Sequence, residues 1–320
     1  MTIPPGATPR NKAARRRKDV LFHVFCAVCA ASSVVVLGAL LVVLAMQGAE
    51  HLDLHFLKSP PSRTPAKAGI GPAMWGSVWI CTICALSALP IGIATAIVLE
   101  EYKPSGRRLR RVHAFMQLNI SNLAGVPSIV YGIVGLTVFV NFFGLVGNLN
   151  NPGFTFGTRE DWWYVQLPFG RSVLAGGLTL MLVILPIVIV SSVEAIRSVP
   201  GSLRAGALAC GSTKWQMIRR IVLPSAVPGI MTGSILAMSR AIGEAAPILV
   251  IAGVVFIRFT PQNLMDEFTA MPLQIYDWAG RPQEAFHHVA ATGILVLLSV
   301  LLAFNAVAVI LRHKLQKPLQ

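Results

Sequence analysis

Six stretches of the chain stay apolar for about 20 residues or more, near residues 20 to 46, 73 to 98, 123 to 146, 171 to 193, 226 to 253 and 287 to 311. A helix rises about 1.5 Å per residue, so each stretch can cross the roughly 30 Å of a bilayer's hydrocarbon. Backbone polar groups inside lipid must be satisfied within their own segment, which selects helices. The pattern therefore predicts an all-α polytopic membrane protein with about six transmembrane helices. Its divisions are a basic tail at 1–19, a first span with its outer loop at 20–72, a five-helix core at 73–311 and a tail at 312–320.

Composition agrees with a lipid solvent, because 54% of the 320 residues are hydrophobic and only 12% charged. A soluble core of this size could not hide that much apolar surface. The net charge of +14 does not indicate a nucleic-acid partner, since the basic residues lie between apolar runs and form no face on a soluble domain. Sorted by side, nineteen of the 27 Lys and Arg fall with the two tails and the 99–122 and 194–225 loops, and seven fall opposite. The positive-inside rule places both termini in the cytoplasm, and the excess charge also attracts anionic membrane lipid. Arg159 and Glu160 belong to the outer set, and Lys317 to the inner one.

The two long inner loops differ in kind. Residues 99–122 hold a turn at Tyr102 to Gly106 and then the basic run Arg107 to Arg111, the pattern of a lipid-facing turn and a short interfacial helix. In residues 194–225, Pro200 and Gly201 break the fourth span, Ser202 can cap a helix, Gly211 can end it, and Ser212 can cap a second helix that stops at Pro224. The resulting helix, turn and helix outside the bilayer suit docking against a partner.

Several chemistries are excluded. Cys26 and Cys29, and Cys81 and Cys84, form two CxxC pairs, yet all four lie inside predicted spans, where thiols act as small apolar groups and hold no metal. The Asn119 to Ser121 sequon falls on the inner side. Gly206 and Gly211 have the spacing of a phosphate-binding loop, but Lys214 comes two positions late, so the chain hydrolyses no ATP itself. No nucleophile, base and orienting group converge in the spans, so the chain is read as a non-enzyme without cofactors.

The fifth span alone holds two charges, Arg240 and Glu244, one helical turn apart on one face. An arginine at mid-bilayer costs about 2.5–3.5 kcal/mol, and such residues usually face a cavity, a partner charge or a substrate path. A planar, permanently charged donor array suits a tetrahedral oxyanion. Ser234 and Ser239 offer hydroxyls at nearby levels. Gly243 and Pro247, and also Gly125 and Pro127, are candidate helix breaks, the second pair as a packing bend. Two readings stay open: Arg240 and Glu244 line a substrate path, or they pair with each other or a second subunit to hold the bundle. Pro90 and Pro186 read as packing kinks. Trp162, Trp163, Tyr164, Tyr276 and Trp278 in the outer loops read as an interface belt or a landing surface for a binding protein.

Gly211, nine further residues and then Ile221, Val222, Leu223 and Pro224 resemble the EAA loop of ABC importer permeases. The stretch from Glu194 to Pro247, with Met231, Thr232 and Gly233 and later Gly243 to Pro247, is most similar to the PstA family of phosphate-importer permeases. Residues Asn122 to Gly132 add to a likeness that covers roughly 70 to 310. The resemblance implies the type I ABC importer permease fold, with a coupling helix formed by Leu203, Arg204, Ala205, Gly206, Ala207, Leu208, Gly211, Trp215, Ile221, Leu223 and Pro224. It also implies phosphate import across the bacterial inner membrane by alternating access. The partners it implies are a homologous PstC-like permease, two PstB-like ATPase subunits and a periplasmic or lipid-anchored PstS-like phosphate-binding protein. The naming positions of the loop are Ala205, Gly206 and Ala207 here, so its acidic residue is absent, and apolar Leu203, Leu208 and Trp215 are expected to carry the contact. Alternatives are a permease for molybdate or sulfate, or a membrane signalling or scaffold subunit that reports phosphate supply.

Overall fold

A computed structural model describes residues 9–104, 106–145, 147–148, 151–158, 161–253 and 256–315. The ends of both tails, and with them Lys317, lie outside the described residues, as do Ser105, Arg159 and Glu160. The chain is helical, and the described residues include five helices long and apolar enough to cross a membrane, with a sixth span if a bent pair is counted as one.

The first helix, α1 (Pro9–Gly48), begins well before the predicted span, so most of the basic tail is helical and continuous with it. A short helix α2 (Leu54–Lys58), capped by Asp53 accepting from the Phe56 amide at 2.7 Å, leads to α3 (Gly71–Glu101), which runs unbroken through Pro90. The predicted interfacial helix is α4 (Arg107–Leu123), longer than the basic run alone. Residues 124–127 then turn the chain into α5 (Ser128–Gly135), extended by a wide π turn to Val140, and the two axes differ by 106°. The Gly125 and Pro127 region is thus a sharp reversal of direction and not a packing bend. The third span is shorter than predicted, because apolar residues 141 to 145 leave the helix at Asn141.

Ser172 caps α6 (Val173–Arg197) by accepting from the Ala175 amide at 3.2 Å, and α6 is the most buried span. Beyond it come α7 (Gly201–Ala209) and α8 (Lys214–Met217), with Gly211 between them at φ +80°. The caps differ from expectation. Pro200 precedes α7 without a side-chain cap, and α8 is capped by Thr213, reciprocally with Gln216, in place of Ser212. Nor does the second helix stop at Pro224: a π turn over Ile218–Val222 joins α8 to α9 (Leu223–Gly243), and Pro224 sits in the first turn of α9, where its missing N–H is tolerated. After a break at Glu244 and Ala245 the chain forms α10 (Ala246–Ala252), then α11 (Met271–Ala279) and α12 (Glu284–Leu315).

Spans pack through small residues, as expected where lipid removes the hydrophobic drive between helices. A Cβ added at Gly92 would lie 2.6 Å from Val188 on α6, one at Gly135 would lie 2.1 Å from the Thr179 hydroxyl, and one at Gly233 would lie 2.2 Å from the Ser191 hydroxyl. Thus α3, α5 and α9 each close on α6. The main core of Ile80, Cys84, Leu180, Ile184, Val188, Met238 and Ile248 lies along these seams. By contrast, α1 is exposed along its spanning stretch and is tied to α12 at one end, where the Thr292 hydroxyl donates to the Gly48 carbonyl at 2.8 Å and the His51 and His288 rings stack 6.4 Å apart.

The outer aromatic residues divide. Trp162, Trp163 and Tyr276 are exposed, but Trp278 is fully buried against Phe56, and Tyr164 is buried with its hydroxyl on Gln166. Trp278 is a core residue because α11 folds into the bundle, and buried Tyr164 likewise does not join an interface belt.

Candidate functional site

The break after Gly243 places Arg240 in the last turn of α9, one turn before the chain leaves helical geometry at Glu244 (φ −75°, ψ 118°). Arg240 Nε donates to Glu244 Oε1 at 3.0 Å. The guanidinium side chain is 53% exposed and the carboxylate only 13%. Neither terminal guanidinium nitrogen has a hydrogen-bond partner among the described residues. The pair is therefore an oriented cation whose outer edge still carries free donors.

Arg240 belongs to an open face of α9 with Thr232, Leu236 and Gly243, and nothing lies within 4 Å of a Cβ added at Gly243. The two serines do not share it. Ser239 Oγ donates to the Ile235 carbonyl at 2.8 Å and meets the side-chain amide of Asn305 on α12. Half-buried Ser234 stands six residues, or about 240°, around the helix from Arg240. Two turns before Arg240 the same face meets α12, where Arg312 Nη1 donates to the Thr232 hydroxyl at 2.9 Å. Pro247 is buried at the start of α10 and packs on Gly132 of α5, so it begins a helix and interrupts none.

The loop that holds α7 and α8 is fixed by the end of α3. Glu101 accepts from Arg204 at 2.9 Å, and the same guanidinium donates to the carbonyls of Ile196, at 2.7 Å, and Val199. Glu100 pairs with Arg197 at the end of α6, at 3.0 Å, and the Lys214 ammonium sits 4.6 Å from the centre of the Tyr102 ring. Three consecutive residues thus grip α6, α7 and α8. Arg204 is turned inward, with its side chain 22% exposed, and so is an internal anchor. Buried Ala207 and half-buried Ile221 and Leu223 face the bundle, whereas Leu203, Ala205, Gly206, Leu208, Gly211, Trp215 and Pro224 face outward. Nothing local in the sequence signals this grip, because Glu101 and Arg204 are 103 residues apart.

A glycine-packed bundle that extends a short helix pair beyond its end is the architecture of an ABC importer permease. The bacterial alginate ABC transporter, solved with its pentasaccharide-bound periplasmic protein, contains a chain that superposes with a TM-score of 0.62 at 16% identity, covering 91% of this chain and 93% of that one. The chain belongs to the family of binding-protein-dependent transport system inner membrane components, whose pattern matches residues 88–317. It is 33% identical over 248 residues to the phosphate transport system permease protein PstA 1 of Mycobacterium tuberculosis, spanning 76% of this chain and 70% of that protein. Against PstA of Mycobacterium leprae the identity is 36% over 242 residues, spanning 74% and 69%. The probable ABC transporter permease protein YqgI of Bacillus subtilis is 31% identical over 272 residues, spanning 84% and 81%. The protein is a multi-pass membrane component of a transporter.

Proposed function

We propose that this chain is the permease subunit of an ATP-driven importer that carries inorganic phosphate inward across the cytoplasmic membrane by alternating access, with both termini in the cytoplasm. A second, PstC-like permease covers the open face of α9, two PstB-like ATPases engage α7 and α8, and a PstS-like binding protein delivers the anion from outside. The observation that carries this reading is the Arg240 guanidinium, held by Glu244 through Nε alone and open along its outer edge on a membrane-spanning helix. Lipid would leave that guanidinium without partners for its free donors, so a subunit boundary containing water and a negative cargo is the cheaper surrounding. Near neutral pH inorganic phosphate is a mixture of monoanion and dianion, and both forms keep a proton that sulfate lacks. The Glu244 carboxylate can accept a hydrogen bond from that P–OH while Arg240 donates to the other oxygens. The likeness to phosphate permeases supports this choice of anion.

The exposed Leu203, Leu208 and Trp215 supply an apolar docking surface on the coupling helices. The acidic residue missing at Ala205 would add an exposed ion pair worth about 0–1 kcal/mol, so its absence is compatible with assembly. The test is ATP-driven phosphate uptake by the reconstituted importer, with sulfate and molybdate as competitors. Arg240→Gln is expected to cut uptake at least about tenfold, the factor equivalent to one lost charge-assisted hydrogen bond, with the subunits still assembled. Normal uptake in both Arg240→Gln and Glu244→Gln would remove the pair from the path. Stronger inhibition by molybdate or sulfate than by phosphate itself would assign the other oxyanion.

A further inference from the structure

The helix α4 carries a charged surface that the bundle does not use. None of its 17 residues is buried, and Arg107, Arg108, Arg110 and Arg111 form no ion pair among the described residues. The first turn contains no acidic residue, so four guanidinium groups crowd the helix end whose dipole already disfavours cations. That arrangement calls for an anionic surface opposite. At 100° per residue the arginines of the first turns occupy one side of α4, shared further along with exposed Phe115 and Leu118, and the other side is apolar throughout, with exposed Leu109, Val112, Met116 and Leu123. Half-buried His113, Gln117 and Ile120 form the strip between them, on the flank where α4 meets α6. The 106° change of axis at residues 124–127 lays α4 close to the membrane plane when α5 stands along the normal.

We propose that α4 is a docking surface for anionic phospholipid, with its apolar side among the acyl chains and its arginines on the phosphodiester headgroups. The opposed faces and the direction of the axis are those of a helix lying in the interface. Its position reaches the coupling end, because Gln117 and Ser121 share a cleft of about 230 Å³ with Glu194 and Arg197 of α6, and Arg197 is the residue that Glu100 holds. Seating α4 on lipid therefore fixes one wall of the contact between α3 and α6.

The experiment places a benzophenone amino acid at position 118, an exposed site on the arginine side, in the full chain. The chain is reconstituted in nanodiscs of phosphatidylcholine and phosphatidylglycerol in equal parts, irradiated, and its lipid adducts are read by mass spectrometry. Phosphatidylglycerol is expected to exceed phosphatidylcholine in the adducts by about fivefold or more, the factor for a single arginine near an anionic surface. In the Arg107→Gln, Arg108→Gln, Arg110→Gln, Arg111→Gln variant the ratio should fall to that of the bilayer, and four Lys replacements should largely restore it. Adducts that mirror the bilayer composition in the parent chain overturn the proposal, as do adducts to protein alone when the partner subunits are present. The readout needs no transport, so it stands or falls separately from the anion assigned above. Should the fourfold Gln variant fail to accumulate, the Arg110→Gln, Arg111→Gln pair is read in the same way, and an unchanged ratio there also overturns it.

Discussion

Arg204 shows how one side chain can sit in a partner-facing loop and still serve the interior. Its guanidinium is divided between the Glu101 carboxylate and two carbonyls at the end of α6, so it fixes the angle of α7 and offers nothing outward. Hydrogen bonds to charged groups are worth about 1.5–3 kcal/mol, and partly buried ones are the costliest to lose. Arg204→Gln is therefore expected to leave the spans folded but loosen α7, seen as ATP hydrolysis that no longer tracks uptake in the reconstituted importer. Gly211, at φ +80°, has a different duty. Ala there would need the left-handed conformation and cost about 1–2 kcal/mol, without any steric clash, because nothing lies within 4 Å of the added carbon. A thermal-shift comparison of Gly211→Ala with the parent would measure that cost. At this scale the Arg240 and Glu244 contact was legible, since i and i+4 share a helix face. The anchors of Arg204 and Lys214 were not, because charge pairs between distant segments leave no local pattern.

Between elements, the spacing of small residues sets how closely the spans approach. Gly135 admits the Thr179 hydroxyl, which donates to the Ala175 carbonyl within α6. Gly135→Val has no room, and overpacking of that kind costs about 1–3 kcal/mol. The expected result is a lower melting temperature in detergent, larger than that caused by Gly106→Ala, where the nearest atom is a leucine methyl 4.0 Å away. Hydrophobic length revealed α3, α6 and α12 to within a few residues of their cores, because a span must be long and apolar whatever it packs against. It failed where backbone hydrogen bonding changed pattern. The π turn at Ile218–Val222 carries the helix past Pro224, which by sequence reads as a stop. Similarly, α11 is too short to register as a span, and its buried face was hidden in an outer loop with aromatic residues at both exposed and buried positions.

Taken whole, the molecule has a tightly packed centre and one loosely held arm. Among the described residues α1 is engaged at its C-terminal end, at Gly48, where an added Cβ would lie 2.8 Å from the backbone of Thr292. Gly48→Val should release that end while leaving the rest of the bundle folded. The expected signature is loss of crosslinking between cysteines introduced at positions 47 and 288, whose parents meet through the Gln47 carbonyl and the His288 ring at 3.2 Å, with the thermal transition of the bundle unchanged. The grip of residues 100 to 102 has a mechanical counterpart at this scale. A push delivered to α7 enters α3 and α6 as if all three were one stiff lever, because ion pairs join their ends. Arg240 is not on that lever. It rides on α9, which meets α6 at the close approaches of Gly229 to Ala195 and Gly233 to Ser191. Those two points fix how α9 sits on α6, and a single methyl group added at either is expected to shift the seat of the distant cation without touching it.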